Sequence, residues 1–380
     1  MSLMVIGLTG CRTDDDVVMP TVTPVEKVLT DYVGLYVLCE GNMGSNKATL
    51  DFLNLTDGNY YRNIFPSRNP NQVKELGDVG NDCKIYGSRL WLVINCSNKV
   101  EVCTADSAYS LGHVDIPNCR YLAFHEGYAY VSSYVGKVNG ESVLGSVYKV
   151  DTLTLRIAGQ VTVGYQPDEL AVVGSKLYVA NSGGYSAMQG MGYDNRITQI
   201  DLSTFTVDRH IEVAPNLYRL RADRYGQLWA TSRGNYGSQP SRLFLLSAES
   251  GQMAVTKKFD LPASDLAFRG DSVCFIGVDD THPEADYHYS GIIDMRTRQV
   301  VSNRLFDGLD DLETPYGLMV HPLTGDIYVM DATNYVSNGL LVCYDAQGRK
   351  KKWQVFTGDI PGHACWLTKK TVVKETNAEE

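Results

Sequence analysis

The chain has 380 residues, 44% of them hydrophobic and 21% charged, which is enough to bury one large core or two smaller ones and excludes disorder over most of its length. Its formal charge is -10, from 34 Lys and Arg against 44 Asp and Glu, so the composition lacks the basic footprint of a nucleic-acid-binding protein. Tyr outnumbers the other aromatics, 24 against 10 Phe and 4 Trp, and Tyr pairs an apolar ring with a polar tip suited to wet recognition surfaces.

In chain order, residues 1–11 form an apolar leader ending in Leu8-Thr9-Gly10-Cys11. This is similar to a lipoprotein lipobox and predicts a lipid on Cys11, although the leader lacks a basic start. Residues 12–30, with Asp14-Asp15-Asp16 and Pro20 and Pro24, read as a flexible acidic tether. The acidic run resembles the surface-export signal of Bacteroidetes lipoproteins. No stretch approaches the ~20 apolar residues of a membrane-spanning helix. The eight cysteines beyond Cys11 show no C-x-x-C spacing, so zinc-ribbon and thioredoxin readings fail, and their pairing stays open.

From residue 31 to 370 a strand-sized pattern repeats. Segments starting at Asp82, Arg120, Asp168, Tyr218, Ser264 and Pro315 share an apolar run, a Gly or Asp turn and a Tyr/Trp-rich run, at spacings of 38, 48, 50, 46 and 51 residues. Intervals of that length, each with room for four short strands, predict propeller blades. Residues 34–65 hold strands without an inner partner, and Gly362–Leu367 is an inner strand with nothing after it. Joined, they make a seventh blade and close the ring without exposed edges. The expected fold is therefore all-β, a seven-bladed β-propeller of four-stranded blades closed by pairing of N- and C-terminal strands in one blade, with residues 371–380 as a disordered tail.

In such a ring the inner strands start on one face, here called upper, which also carries the loops between second and third strands. The lower turns are short (Gly87-Ser88, Glu126-Gly127, Gly174-Ser175), whereas the upper loops at 133–145, 181–195, 232–241, 277–290 and 331–338 are long. Those loops are rich in Tyr, Asn, Gly and Ser, the mixture of stiff anchors and adaptable hydrogen-bonding groups found in paratopes. The candidate ligand-binding residues are Asn81, Arg120, Tyr134, Asp168, Tyr193, Tyr218, Arg233, Tyr289, Tyr316 and His363.

Signals for catalysis are weaker. Of seven histidines only His282, His288 and His363 can reach the upper face, and no G-x-S-x-G, H-E-x-x-H or P-loop occurs. The glycines between Gly183 and Gly192 follow a strand but open no helix, which fails the dinucleotide fingerprint. Asp279, Asp280, Glu284 and Asp286 could hold a hard cation, but more simply form a solvated acidic loop.

Gly164-Tyr165-Gln166-Pro167-Asp168-Glu169-Leu170-Ala171-Val172, then Lys176–Asn181 and Ile200–Thr204, resembles the YVTN repeat of seven-bladed propellers. With the lipobox, the acidic run and the Tyr/Asn loops, the whole chain resembles the BtuG-type cobalamin-binding surface lipoproteins of Bacteroidetes. That resemblance implies a non-catalytic protein, lipid-anchored at the outer-membrane surface, that captures cobalamin (vitamin B12) or a related corrinoid and passes it to a TonB-dependent transporter. No cofactor and no resident metal are expected, and the acidic composition argues against a nucleic-acid partner. The rival readings are a propeller lyase or lactonase with a loop-bound divalent cation, and a surface scaffold for glycans or proteins.

Overall fold

A computed structural model describes residues 25–72, 75–136, 141–278 and 288–375. Three strands come first: β1 (Val25–Cys39), β2 (Thr49–Asn54) and β3 (Tyr60–Tyr61), followed by the short helix α1 (Ile64–Arg68). Six sets of four follow. They are β4 (Gly80–Tyr86), β5 (Arg89–Ile94), β6 (Lys99–Thr104) and β7 (Ser110–Asp115); β8 (Cys119–His125), β9 (Tyr128–Ser133), β10 (Leu144–Asp151) and β11 (Ile157–Tyr165); and β12 (Pro167–Val173), β13 (Lys176–Asn181), β14 (Arg196–Asp201) and β15 (Thr206–Glu212), with helix α2 (Gly184–Met188) between β13 and β14. Next come β16 (Leu217–Ala222), β17 (Leu228–Ser232), β18 (Arg242–Ser247) and β19 (Ala254–Phe259); β20 (Asp265–Arg269), β21 (Ser272–Val278), β22 (His288–Asp294) and β23 (Gln299–Ser302); and β24 (Pro315–Val320), β25 (Ile327–Asp331), β26 (Asn338–Tyr344) and β27 (Lys351–Asp359). The last strand is β28 (Pro361–Glu375).

Each set of four is one antiparallel sheet in sequence order, and the seventh sheet runs β28-β1-β2-β3. The chain is a seven-bladed β-propeller, closed by its first and last strands as the sequence predicts. Alternation explains the core: second and third strands read apolar on both faces, such as Leu90–Ile94, because each blade packs against two neighbours. Fourth strands such as β15 bury only alternate residues. Apolar clusters at the seams join neighbouring blades, one of them holding Cys83, Cys103 and Cys365.

The residues Val33–Leu367 form one compact unit, and a second unit comprises the two chain ends. β1 begins at Val25, inside the expected tether, and β28 runs to Glu375, inside the expected tail. Valine and threonine in both stretches favour extended backbone. Cys11 and the rest of the leader and tether up to residue 24, like residues 376–380, lie outside the described residues. The eight described cysteines beyond Cys11 are free thiols, seven of them buried. The glycine-rich stretch after β13 does open a helix, contrary to expectation, but α2 is only five residues long. It is pinned by the Ser186 N–H, which donates to Gln166 Oε1 at 3.1 Å, and so is no phosphate-binding helix.

Candidate functional site: the axial cluster on the upper face

The inner strands enter the ring through a repeated device. The residue before β4, β8, β12, β16 and β28 has a positive φ: Val79, Asn118, Gln166, Asn216 and Ile360. Left-handed backbone at a branched residue such as Val79 is costly, so the surrounding structure holds it there. In β4, β8, β12 and β16 the pairing of inner and second strands slips immediately afterwards, between Gly80 and Asp82, Cys119 and Leu122, Pro167 and Leu170, and Leu217 and Leu220, and β24 slips likewise between Pro315 and Gly317. Asn81, Arg120, Asp168, Tyr218 and Tyr316 all sit in these slips. A bulge breaks the strict in/out alternation and re-aims side chains. Two successive residues of one strand can therefore face the axis.

Neighbouring blades are joined along the rim. Asn81 Nδ2 donates to the Arg120 carbonyl at 2.9 Å, and an Arg120 N–H donates to Asn81 Oδ1. Arg120 Nε donates to Asp168 Oδ1 at 3.2 Å, and the Tyr134 hydroxyl donates to the same oxygen at 2.8 Å. Arg120 also lies 4.8 Å from the centre of the Tyr134 ring. The other oxygen, Asp168 Oδ2, is buried without a hydrogen-bond partner among the described residues; Arg233 Nη1 stands 3.9 Å away. The Arg233 side chain keeps 35% of its surface exposed at this mouth and stacks on Tyr218.

One residue deeper, contacts cross between blades that are not adjacent. Arg219, 1% exposed, approaches Tyr121 Oη at 3.5 Å and lies over the Tyr218 ring. Tyr121 in turn meets Tyr218 edge-on at 6.3 Å and His363 at 6.0 Å. His363 shares a 3.1 Å contact with Glu40, and Tyr316 packs edge-on against Tyr335. A Cβ at Gly362 would come within 2.8 Å of Tyr316 Cε1, so only glycine admits this ring. These side chains close the ring centre below the mouth.

The charges in this layer are matched. Arg219 and Arg221 reach Asp265 Oδ1 at 3.2 and 2.8 Å, and Arg221 reaches Glu169 at 3.3 Å. Three carboxylates also accept a backbone N–H from the next blade: Asp82 from Leu122 at 2.9 Å, Glu169 from Leu220 at 2.9 Å and Asp265 from Leu318 at 2.8 Å. Burial alone would raise the Glu169 carboxyl, but Arg221 and Arg219 outweigh it and hold the group below the usual carboxylate range. Burial pushes the Tyr134, Tyr121 and Tyr316 hydroxyls upward, away from neutrality. These phenols stay protonated as donors, which suits binding better than proton transfer.

Eight of the ten residues picked from sequence thus gather at the ring centre. Tyr193 and Tyr289 do not: neither forms a hydrogen bond or ring contact with the cluster among the described residues. Tyr193 is half-buried in the β13–β14 loop, and Tyr289, paired with Gly277, lines a separate cavity of about 460 Å³ beside Phe275 and Phe306. Tyr121, Glu169, Arg219 and Glu40 were missed. The first three directly follow picked positions, and strict alternation would aim them away; the bulge is the signal that overrides it. Among the described residues no three His, Cys, Asp or Glu side chains form a metal-holding group. The loop bearing Asp279, Asp280, His282, Glu284 and Asp286 lies outside the described residues.

No protein-family model and no curated protein matches the chain. Solved structures do. It is similar to the Pseudomonas aeruginosa periplasmic gluconolactonase PpgL (TM-score 0.61, 13% identity, covering 88% of this chain and 99% of that one). It is also similar to a quinoprotein alcohol dehydrogenase-like protein of Bacteroides thetaiotaomicron (TM-score 0.60, 12% identity, 89% and 79% covered) and to apo AztD of Citrobacter koseri (TM-score 0.52, 13% identity, 92% and 99% covered). At these identities the likeness is one of fold.

Proposed function

We propose that the chain captures a corrinoid, cobalamin or a close relative, on the upper face and does not transform it. In this reading it is a lipoprotein held at the outer-membrane surface through Cys11 and hands its ligand to a TonB-dependent transporter. The observation that carries it is the run Asn81–Arg120–Asp168–Arg233, in which donors and acceptors from four neighbouring blades are fixed before any ligand arrives. A corrinoid is a broad disc edged with amides. The Arg233 guanidinium, 35% exposed beside Asp168 Oδ2, would offer its N–H groups to the amide carbonyls of such a disc. A preformed rim loses little freedom on binding.

Titrating purified protein with cyanocobalamin while following its visible spectrum tests the reading; no binding at micromolar concentration overturns it. The alternative, a lyase or lactonase working through a cation on the 279–286 loop, draws support from the likeness of fold to the periplasmic gluconolactonase. A stoichiometric divalent metal in the purified protein would favour it. A surface scaffold for glycans or proteins is the remaining reading if neither is found.

A further inference from the structure

The seams between blades repeat one contact. Each inner strand turns a side chain onto the following blade, where a leucine usually receives it: Ala123 and Leu170 share one apolar cluster, Ala171 and Leu220 another, and Ala267 and Leu318 a third. Lys84 and Arg221 hold the equivalent place at two more seams and donate to the carbonyls of Leu122 and Leu266. Register fixes the equivalence, since Lys84, Ala123, Ala171 and Arg221 stand opposite Trp91, Tyr130, Tyr178 and Trp229 in their second strands. Where the closing blade meets β4, both partners are cysteines. Cys365 stands four residues after Pro361, as Ala171 stands four after Pro167, and so takes the alanine place. Cys83 of β4 takes the leucine place, in the same cluster as Cys365. The two thiols lie within hydrogen-bonding reach of each other and are 2% (Cys83) and 9% (Cys365) exposed. Both belong to the compact unit Val33–Leu367.

An alanine and a leucine would fill this seam as they fill the others, so packing alone does not call for two sulfurs. The place is also special in the chain. In the other six blades the inner strand runs straight into the second strand of its own sheet, whereas β28 joins β1 only by pairing. We propose that Cys83 and Cys365 are a disulfide-forming pair that latches the closing strand to the first complete blade. Both are thiols in this structure, so the bond needs an oxidant, and a disulfide of a small thiol or of a thiol oxidase supplies it. The Cys365 thiolate attacks one sulfur of that disulfide and the other leaves as a thiolate; the Cys83 thiolate then displaces the remaining oxidant sulfur from Cys365. Two electrons pass to the oxidant, and the protons given up by Cys83 and Cys365 end on its two thiols. Burial pushes the Cys83 thiol well above its ordinary range, so exchange is slow in the closed ring and fastest while β28 docks. The finished bond spans the chain from 83 to 365 and restricts the unfolded state over nearly the whole ring. It needs neither a corrinoid nor a lipid anchor.

The test is refolding of the full chain from urea with reduced and oxidised glutathione, followed by thiol blocking, digestion and mass spectrometry. A peptide pair linked through Cys83 and Cys365 should appear, lighter by two hydrogens than the two peptides together. The oxidised protein should melt about 5 °C or more above the reduced one, and dithiothreitol should erase the difference. Cys83→Ala and Cys365→Ala should each abolish the linked pair and the shift, whereas Cys103→Ala, in the same cluster, should keep both. If a variant does not fold, the peptide map and the melting shift of the parent chain decide alone. A refolded parent without the link, glutathione retained on Cys83 or Cys365, either of them joined to Cys103 instead, or an oxidised form that melts no higher would each overturn the proposal.

Discussion

The Arg233 guanidinium lies 3.5 Å from the centre of the Tyr218 ring, the closest cation–π approach among the described residues. The ring fixes Arg233 over the mouth without consuming its N–H groups, and a contact of this kind is worth about 0.5–2 kcal/mol. Tyr218→Leu should leave the fold intact and weaken corrinoid binding roughly tenfold through a looser Arg233. Arg233→Lys should weaken it similarly, because an ammonium lacks the planar fork. Calorimetric titration of both variants checks this; unchanged affinity in both would remove Arg233 from the site.

Glu169 is buried between two blades, accepting the Leu220 N–H and pairing with Arg221. Removing one partner of a buried pair strands the other. Glu169→Ala should therefore cost about 3 kcal/mol of stability, measured by urea unfolding, if unfolding is two-state. A loss below about 0.5 kcal/mol would show that the inter-blade carboxylates carry little of the ring's stability.

His321 Nδ1 accepts the Leu323 and Thr324 N–H groups at 3.2 and 3.1 Å, which requires the neutral ring. Burial lowers its pKa below the ordinary 6.5. The unfolded chain therefore binds this proton more readily than the folded one, and the contribution of His321 is present above about pH 6.5 and lost as pH falls. The melting temperature should drop on acidification below that point, and His321→Asn, which keeps an acceptor but does not titrate, should flatten the dependence. An identical slope in the variant would contradict the assignment.

The thiols give a mapping test. Cys96 is the one described cysteine that is only half-buried, and this partial burial together with Asp78 raises its pKa, so it should alkylate slowly in the native protein while the other seven resist. Mass spectrometry of native and denatured samples reads this directly. Rapid native labelling of Cys83 or Cys365 would mean that the closing seam opens.

Ring closure was legible because half-units at the two ends lacked complementary strands, and Val/Tyr-rich runs at blade intervals have few other solutions. The individual strands were equally plain where alternation holds. What escaped was the second layer of the axis. Tyr121, Glu169 and Arg219 follow picked residues by one position, and a period of two assigns them to the opposite side. Their inward turn depends on Asn118, Gln166 and Asn216 entering left-handed, which Asn tolerates but does not announce. Tyr193 and Tyr289 lie apart from the cluster for another reason: a long connection shows which face it serves, not which of its side chains turns toward the centre, and Tyr289 lies in β22, paired with Gly277.

Cyanocobalamin titration of the parent chain beside Asp168→Asn and Arg120→Ala tests the central claim most directly. The account predicts saturable, roughly one-to-one binding in the parent, at least about tenfold weaker in each variant as a charged hydrogen-bond partner is lost. Absence of binding in the parent, or equal affinity in all three proteins, would contradict it.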